Sequence, residues 1–202
     1  ENTGETDLQL KVSEPQRHQI SATFDNQGRP FIGTYRTGVE YQNNNFSGMG
    51  DRAFARWIIA ARTQVAIAQY STPINSHGTE INSNFSFSKV DVDVPGVNNS
   101  IRGESYNYGI GISQPVDPDR VWTVDGGFNV RRINSFLDRD VTNQDDILTL
   151  TVGGNFNKFD RFGRTFLRGQ FTVAPNDFMG SNVAFHKFEV FANRLIRFPW
   201  NN

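Results

Sequence analysis

The chain has 202 residues, 20 basic against 21 acidic, and no cysteine, so disulfides, zinc-thiolate sites and a cysteine nucleophile are excluded. A net charge of −1 with the two signs intermixed argues against a nucleic-acid binder that works by neutralising phosphates. Only 37% of residues are hydrophobic and the longest apolar run, 57–61, falls far short of the ~20 residues a membrane helix needs; crossing by strands stays open, because a strand gives only every second residue to lipid.

Residues 7–12 alternate polar and apolar side chains and stop at Glu14-Pro15, which predicts a short strand and a break. Residues 16–25 place Ile20, Ala22 and Phe24 on one side and Gln19, Ser21, Thr23 and Asp25 on the other. A turn cluster at 26–30 leads to 33–42, with Tyr35, Val39 and Tyr41 against Arg36 and Glu40. Residues 43–50 are turn material, and two strands follow at 52–61 and 63–72. Their faces are less clean, since Phe54 and Ile58 share parity with Arg52 and Arg56. Further strands are predicted at 79–90, 101–113, 121–134, 146–157, 164–174 and 185–198. The clearest is 146–157: Leu148, Leu150, Val152 and Phe156 alternate with Thr149, Thr151, Asn155 and Asn157. Short turns at 73–78, 117–120 and 160–163 alternate with longer loops at 91–99, 137–145 and 175–182, as in outer-membrane barrels.

About ten amphipathic strands in series, with oily side chains on one face and Arg and Glu in mid-strand on the other, predict an all-β fold. The form expected is an antiparallel up-and-down transmembrane β-barrel with lipid outside and water inside. The candidate lumen-lining residues are Arg36, Glu40, Arg102, Glu104, Asp125 and Arg168. They either hold a plug and a passing substrate or pair across strands and keep the interior wet. Tyr35, Tyr41, Tyr106, Tyr108 and Trp122 are candidates for an interfacial belt.

Residues 25–51, DNQGRPFIGTYRTGVEYQNNNFSGMGD, carry a motif as well as a rhythm. Asp25, Asn26, Gly33, Tyr35, Arg36, Gly38, Asn44, Asn45, Gly48, Gly50 and Asp51 match the start of the barrel in two-partner-secretion transporters. Tyr70-Ser71-Thr72-Pro73-Ile74 followed by Gly78-Thr79 is similar to the hairpin that comes next there. The segment therefore resembles the exporters of haemolysin and filamentous haemagglutinin, which share a superfamily with the outer-membrane insertase. The resemblance implies residues 1–15 as the end of a periplasmic POTRA module or a linker, and 16–202 as about ten strands of a sixteen-stranded barrel. It implies a translocator in the outer membrane of a Gram-negative-type bacterium, contacting outer-membrane lipid and passing a large secreted partner in unfolded form. No cofactor is implied. The family's Val-Arg-Gly-aromatic loop does not occur, and the start Glu1-Asn2-Thr3 is no signal peptide, so a processed or excised piece of barrel is expected.

No catalytic constellation is legible, and the chain is read as a non-enzyme. His18, His77 and His186 lie too far apart in sequence to suggest a metal site. Gly48-Met49-Gly50 lacks the Lys-Ser/Thr of a phosphate loop. Asp138, Asp140, Asp145 and Asp146 lack EF-hand spacing and read as solvated loop charges, with calcium binding as the alternative. Two other functions remain open at this point: an outer-membrane protein-assembly factor of the same superfamily, and a soluble β-sandwich that binds a ligand. An outer-membrane enzyme would need convergent titrating groups at one rim.

Overall fold

The computed structural model describes residues 16–93, 100–137, 140–176 and 178–197. Ten strands fill it: β1 (His18–Asp25), β2 (Arg36–Asn43), β3 (Arg52–Ala60), β4 (Thr63–Pro73), β5 (Glu80–Asp93), β6 (Ser100–Pro115), β7 (Trp122–Leu137), β8 (Asp140–Asp160), β9 (Gly163–Ala174) and β10 (Phe185–Ile196). Each pairs antiparallel with the next, in one sheet of order β1 to β10. Among the described residues β1 and β10 each have one neighbour, so the sheet is open. The strand expected at 7–12 lies outside the described residues.

Directly paired residues share a face, so the register sorts every side chain. One face carries rows such as Val39–Trp57–Ala66–Phe87–Tyr106 and Ile110–Phe128–Leu150–Val173. The other carries Glu40–Arg56–Ile67–Ser86–Asn107 and Asn84–Gly109–Asn129–Thr149. The apolar face is uncovered: Val152 and Val190 are each 66% exposed, whereas the only buried hydrophobic residues described are Leu148 and Ala174. A two-layer sandwich would bury that face, so the β-sandwich alternative does not describe this molecule. The sheet curls the other way. Asn82 and Asn84 of β5 line the same hollow as Arg168 of β9 and Lys187 and Glu189 of β10, which makes the polar face concave.

The strands predicted from residue 16 onward all form, but the two ends of the sheet differ otherwise than expected. The connector 44–51, at the end where short turns were expected, is longer than most of the rest, and the loop expected at 137–145 is mostly strand: β7 runs to Leu137 and β8 starts at Asp140. A register shift between Ser135 and Phe136 accommodates the extension. The segment reads as a loop in sequence because both of its faces are polar, as they must be where a hairpin has water on both sides. The asymmetry between the ends therefore lies in strands that outrun the apolar band as well as in the long connectors 26–35 and 175–184 at the same end. Of the four aspartates there, Asp138 lies outside the described residues, and Asp140, Asp145 and Asp146 belong to β8.

A tight two-residue hairpin joins β8 to β9 at Gly163, whose φ of 147° favours glycine. A Cβ there would collide with the carbonyl oxygen of Leu195 in β10. Gly163→Ala is expected to destabilise the fold by at least ~1–3 kcal/mol through backbone strain alone, read as a lower urea midpoint in a bilayer refolding titration; an unchanged midpoint contradicts it.

Candidate functional site

The concave face is built from alternate residues of all ten strands. Arg36, Glu40, Asp125 and Arg168 stand on it. Arg102 and Glu104 do not, which corrects the sequence reading. They share parity in β6 with Tyr106 and Tyr108 and lie on the convex, apolar face. Glu104 is paired there with Lys89 and Asn134, and Arg102 with Asp91 and Phe136. The Arg102 guanidinium lies 4.4 Å over the Phe136 ring, and its Nε is 3.5 Å from Glu104. Both sit where β6 outruns the apolar band, so a charge on the convex side meets no row of lipid-facing residues there. Charge type suggested the lumen; parity, the stronger guide, did not.

Near β1 to β5 the concave charges come as cross-strand pairs. Arg36 Nε donates to Asp25 at 2.9 Å, Arg56 Nε is 3.9 Å from Glu40, and Arg52 donates to Glu80 at 3.1 Å. Across β5 and β6 the character changes. Between the Glu80–Ser113 and Val90–Gly103 rows, every concave position is Asn, Ser or Gly: Asn82, Asn84, Ser86 and Ser88 face Ser105, Asn107, Gly109 and Gly111. Asn107 Nδ2 donates to Asn84 Oδ1 at 3.1 Å, and Asn129 Nδ2 donates to Asn107 Oδ1 at 2.7 Å, forming an amide ladder over three strands. Gly109 is required beneath it, since a Cβ would stand 2.5 Å from Asn84 Nδ2 and 2.8 Å from Asn129 Oδ1. Further on, Asn155 Nδ2 donates to Asp125 at 2.8 Å, and Arg168 donates to Gln170 Oε1 at 2.8 Å. The sequence reading passed over this ladder. Its signal was the run of Asn, Ser and Gly at alternate positions of β5 and β6.

The residues that match the family motif build two connections at opposite ends of β2. At one end, Asp25 Oδ1 accepts from Arg36 Nε and from the Gln27 amide, each at 2.9 Å. Asn26 stays exposed in that connector. Gly33, with φ 123°, lies where a Cβ would meet Ala60 Cβ and the Ala61 amide at 2.8 Å. Tyr35 stacks on Phe24, and Gly38 leaves room for the Thr23 hydroxyl. At the other end, 44–51 folds onto Asp51, which is fully buried. Its carboxylate accepts from the Ser47 amide at 2.9 and 3.1 Å and from the Tyr70 hydroxyl. Asn45 Oδ1 accepts from the Gly50 amide, Asn44 donates to the Gln16 carbonyl, and Gly48 and Gly50 take φ of 93° and 79°. The motif is thus a set of backbone ties.

The histidines are separate: His18 on β1 contacts Tyr41, His186 on β10 stacks on Phe171, and His77 lies in the connector 74–79. Among the described residues no three His, Cys, Asp or Glu converge as metal ligands. Asp146 is engaged by Arg132 at 2.6 Å, and Asp145 accepts from Asn143. What the concave face offers is a wet wall of charges and amides.

The family model described as "Haemolysin secretion/activation protein ShlB/FhaC/HecB" matches residues 4–175. Among solved structures the chain is similar to CdiB from Escherichia coli, with a TM-score of 0.77 and 20% identity over 90% of this chain and 38% of that one. It is also similar to BamA from Haemophilus ducreyi lacking POTRA domains 1-3, with a TM-score of 0.56 and 12% identity over 84% of this chain and 35% of that one. The chain therefore spans under two fifths of the length of either structure. No curated protein sequence matches it.

Proposed function

Given that the chain belongs to the haemolysin secretion/activation protein family of ShlB, FhaC and HecB, we propose that this sheet is part of the wall of an outer-membrane translocator, which exports a large partner protein of the haemolysin or adhesin type. The observation that carries the reading is the curl of one two-faced sheet: apolar side chains cover its convex side, and its concave side holds Arg36, Glu40, Asp125, Arg168 and the amide ladder. Lipid of a Gram-negative outer membrane covers the convex side, and water fills the concave one. The end at which β1 begins is the periplasmic rim, next to the connector 44–51. The partner crosses unfolded, because a lumen of this kind admits a chain more readily than a domain. Folding outside makes return unfavourable and draws the chain forward. No covalent step is needed, and the protein is not an enzyme.

The barrel fold by itself does not distinguish export from the assembly alternative, since BamA shares it; membership of the secretion/activation family supports export. Disrupting the gene in its own bacterium distinguishes them in practice. The expected result is loss of one secreted protein from the surface and medium, with other outer-membrane proteins at normal levels. Unchanged secretion together with a general fall in outer-membrane proteins would assign the assembly role instead.

A further inference from the structure

The concave face is not uniformly polar. Apart from Val90, Ile133, Ile147 and Phe185 and the row Val92–Ile101–Leu137 at the opposite end of β5 to β7, it carries two apolar clusters that stand beside arginines. One is Phe54, Ile58, Val65 and Ile67 on β3 and β4. The other lies where β8, β9 and β10 approach the end at which β1 begins. Its rows are Phe159–Arg164–Leu195, Asn157–Phe166–Asn193 and Asn155–Arg168–Phe191.

The two clusters differ in charge. Beside the first, Arg52 and Arg56 are each matched by a carboxylate, Glu80 and Glu40. Beside the second, Arg164 donates to Asn157 Oδ1 at 2.8 Å and stacks over Phe159, and Arg168 donates to Gln170. Among the described residues neither has a carboxylate partner. The nearest acids on this face are Glu189, ion-paired with Lys187 at 2.8 Å, and Asp125, which accepts from Asn155 and stands on β7, two strands away from Arg168. The cluster thus presents two uncompensated guanidinium groups among side chains open to the lumen; Phe159 is 71% exposed and Leu195 63%.

We propose that Phe159, Arg164, Phe166, Arg168, Phe191 and Leu195 form a docking site for an extended segment of the exported partner in which acidic and apolar residues alternate. The inference rests on the export reading and names what the partner must carry. Arg164, Phe166 and Arg168 project from β9 on one face at alternate positions, so the arginines stand about 13 Å apart at ~3.3 Å per residue. An extended chain of the pattern acidic-x-apolar-x-acidic has the same pitch. A helix places residues i and i+4 only about 6 Å apart and does not match. Elsewhere on the face, among the described residues, Arg131 also lacks a carboxylate and donates to Ser105 Oγ at 3.3 Å, but no second arginine shares its strand face, and the position at the rim where β1 begins makes the β9 pair an entry site.

These 202 residues contain no cysteine, so one thiol introduced among them, with any cysteine elsewhere in the product replaced by serine, gives an unambiguous label. The gene's full-length product, reconstituted in liposomes, is titrated with three fluorescent peptides: repeated Asp-Ser-Leu-Ser, repeated Lys-Ser-Leu-Ser, and the first composition with its acids in one block. The alternating acidic peptide is expected to bind about tenfold more tightly than the lysine one, with a salt-dependent affinity. It should also photo-crosslink to a benzophenone carried by Asn193→Cys. Arg164→Gln combined with Arg168→Gln should remove that preference, and Phe191→Ser should weaken binding several-fold. Lys158→Gln, the same loss of charge on the convex face of β8, should change nothing. Heat-modifiable gel mobility verifies that each variant is folded. Equal affinity for the acidic and lysine peptides, or an acidic preference that survives the double substitution, overturns the proposal while leaving export intact. Secretion that persists after gene disruption overturns the export reading and this site with it.

Discussion

Leu150→Arg is expected to cost the folded protein about 2–4 kcal/mol, the depth-dependent cost of arginine on the lipid face of a barrel, whereas Thr151→Arg, one residue on, should be much milder. Leu150 lies on the convex face between Phe128 of β7 and Val173 of β9, 43% exposed and with no protein layer above it. An arginine there must either drag water to mid-membrane or bend toward an interface several residues away. Thr151 points into the hollow, between Gly127 and Thr172, with its hydroxyl 3.2 Å from that of Thr172. Replacing it loses at most that one hydroxyl contact, and the bare backbone of Gly127 leaves space for a longer side chain. Urea titration of the full-length product refolding into bilayers measures both. Equal costs would mean that the face taken as lipid-facing is not, and the export reading would lose its physical basis.

That contrast rests on a two-residue period, and the period explains how much of the molecule the sequence discloses. Where one side of a strand meets lipid and the other water, the alternation is forced, and β5, β7, β8 and β9 can be located by inspection. Where a hairpin rises beyond the apolar band, both sides are wet. The constraint lapses, and 137–145 reads as a loop although most of it is strand. The misplacement of Arg102 and Glu104 has the same origin: past the band, a charge no longer reports which way its side chain points. The concave face of β3 and β4 fails in the opposite sense, because Phe54 and Ile58 stand among arginines and blur an alternation that the backbone keeps.

Features that depend on register between strands were beyond reach. The ladder Asn84–Asn107–Asn129 joins residues more than twenty positions apart, and only the pairing of β5 with β6 and of β6 with β7 brings them into line. A shift of one residue would turn all three to the wrong side. The motif 25–51 was the reverse case. Its residues were conspicuous in sequence, yet its physical content, two connectors tied by side-chain-to-backbone hydrogen bonds, could be read only from the structure.

Asp51→Ala is accordingly expected to do more damage than its place in a connector suggests, with most of the protein failing to reach the folded, heat-modifiable form. The carboxylate is sealed from solvent at the junction of the connector and β3 and satisfies the Ser47 amide and the Tyr70 hydroxyl together. Without it those donors are buried unpaired, and the loop that holds Gln16 and Arg17 at the start of β1 loses its centre. Asp51→Asn should fold but with lower stability, because an amide presents one acceptor and an NH2 group where two acceptors are needed. The charge supplies a second signature. Burial pushes the Asp51 carboxyl up, but the hydrogen bonds from Ser47 and Tyr70 outweigh it and hold the group below its ordinary value of 3.8. A carboxylate lowered in the folded state contributes stability that is present above its unfolded value and is lost as pH falls through the folded one. Unfolding titrations between pH 7 and pH 3 should therefore show the wild type converging on Asp51→Asn below about pH 4. Parallel curves across that range, or a normal folded yield for Asp51→Ala, would show that the connector is held by something else.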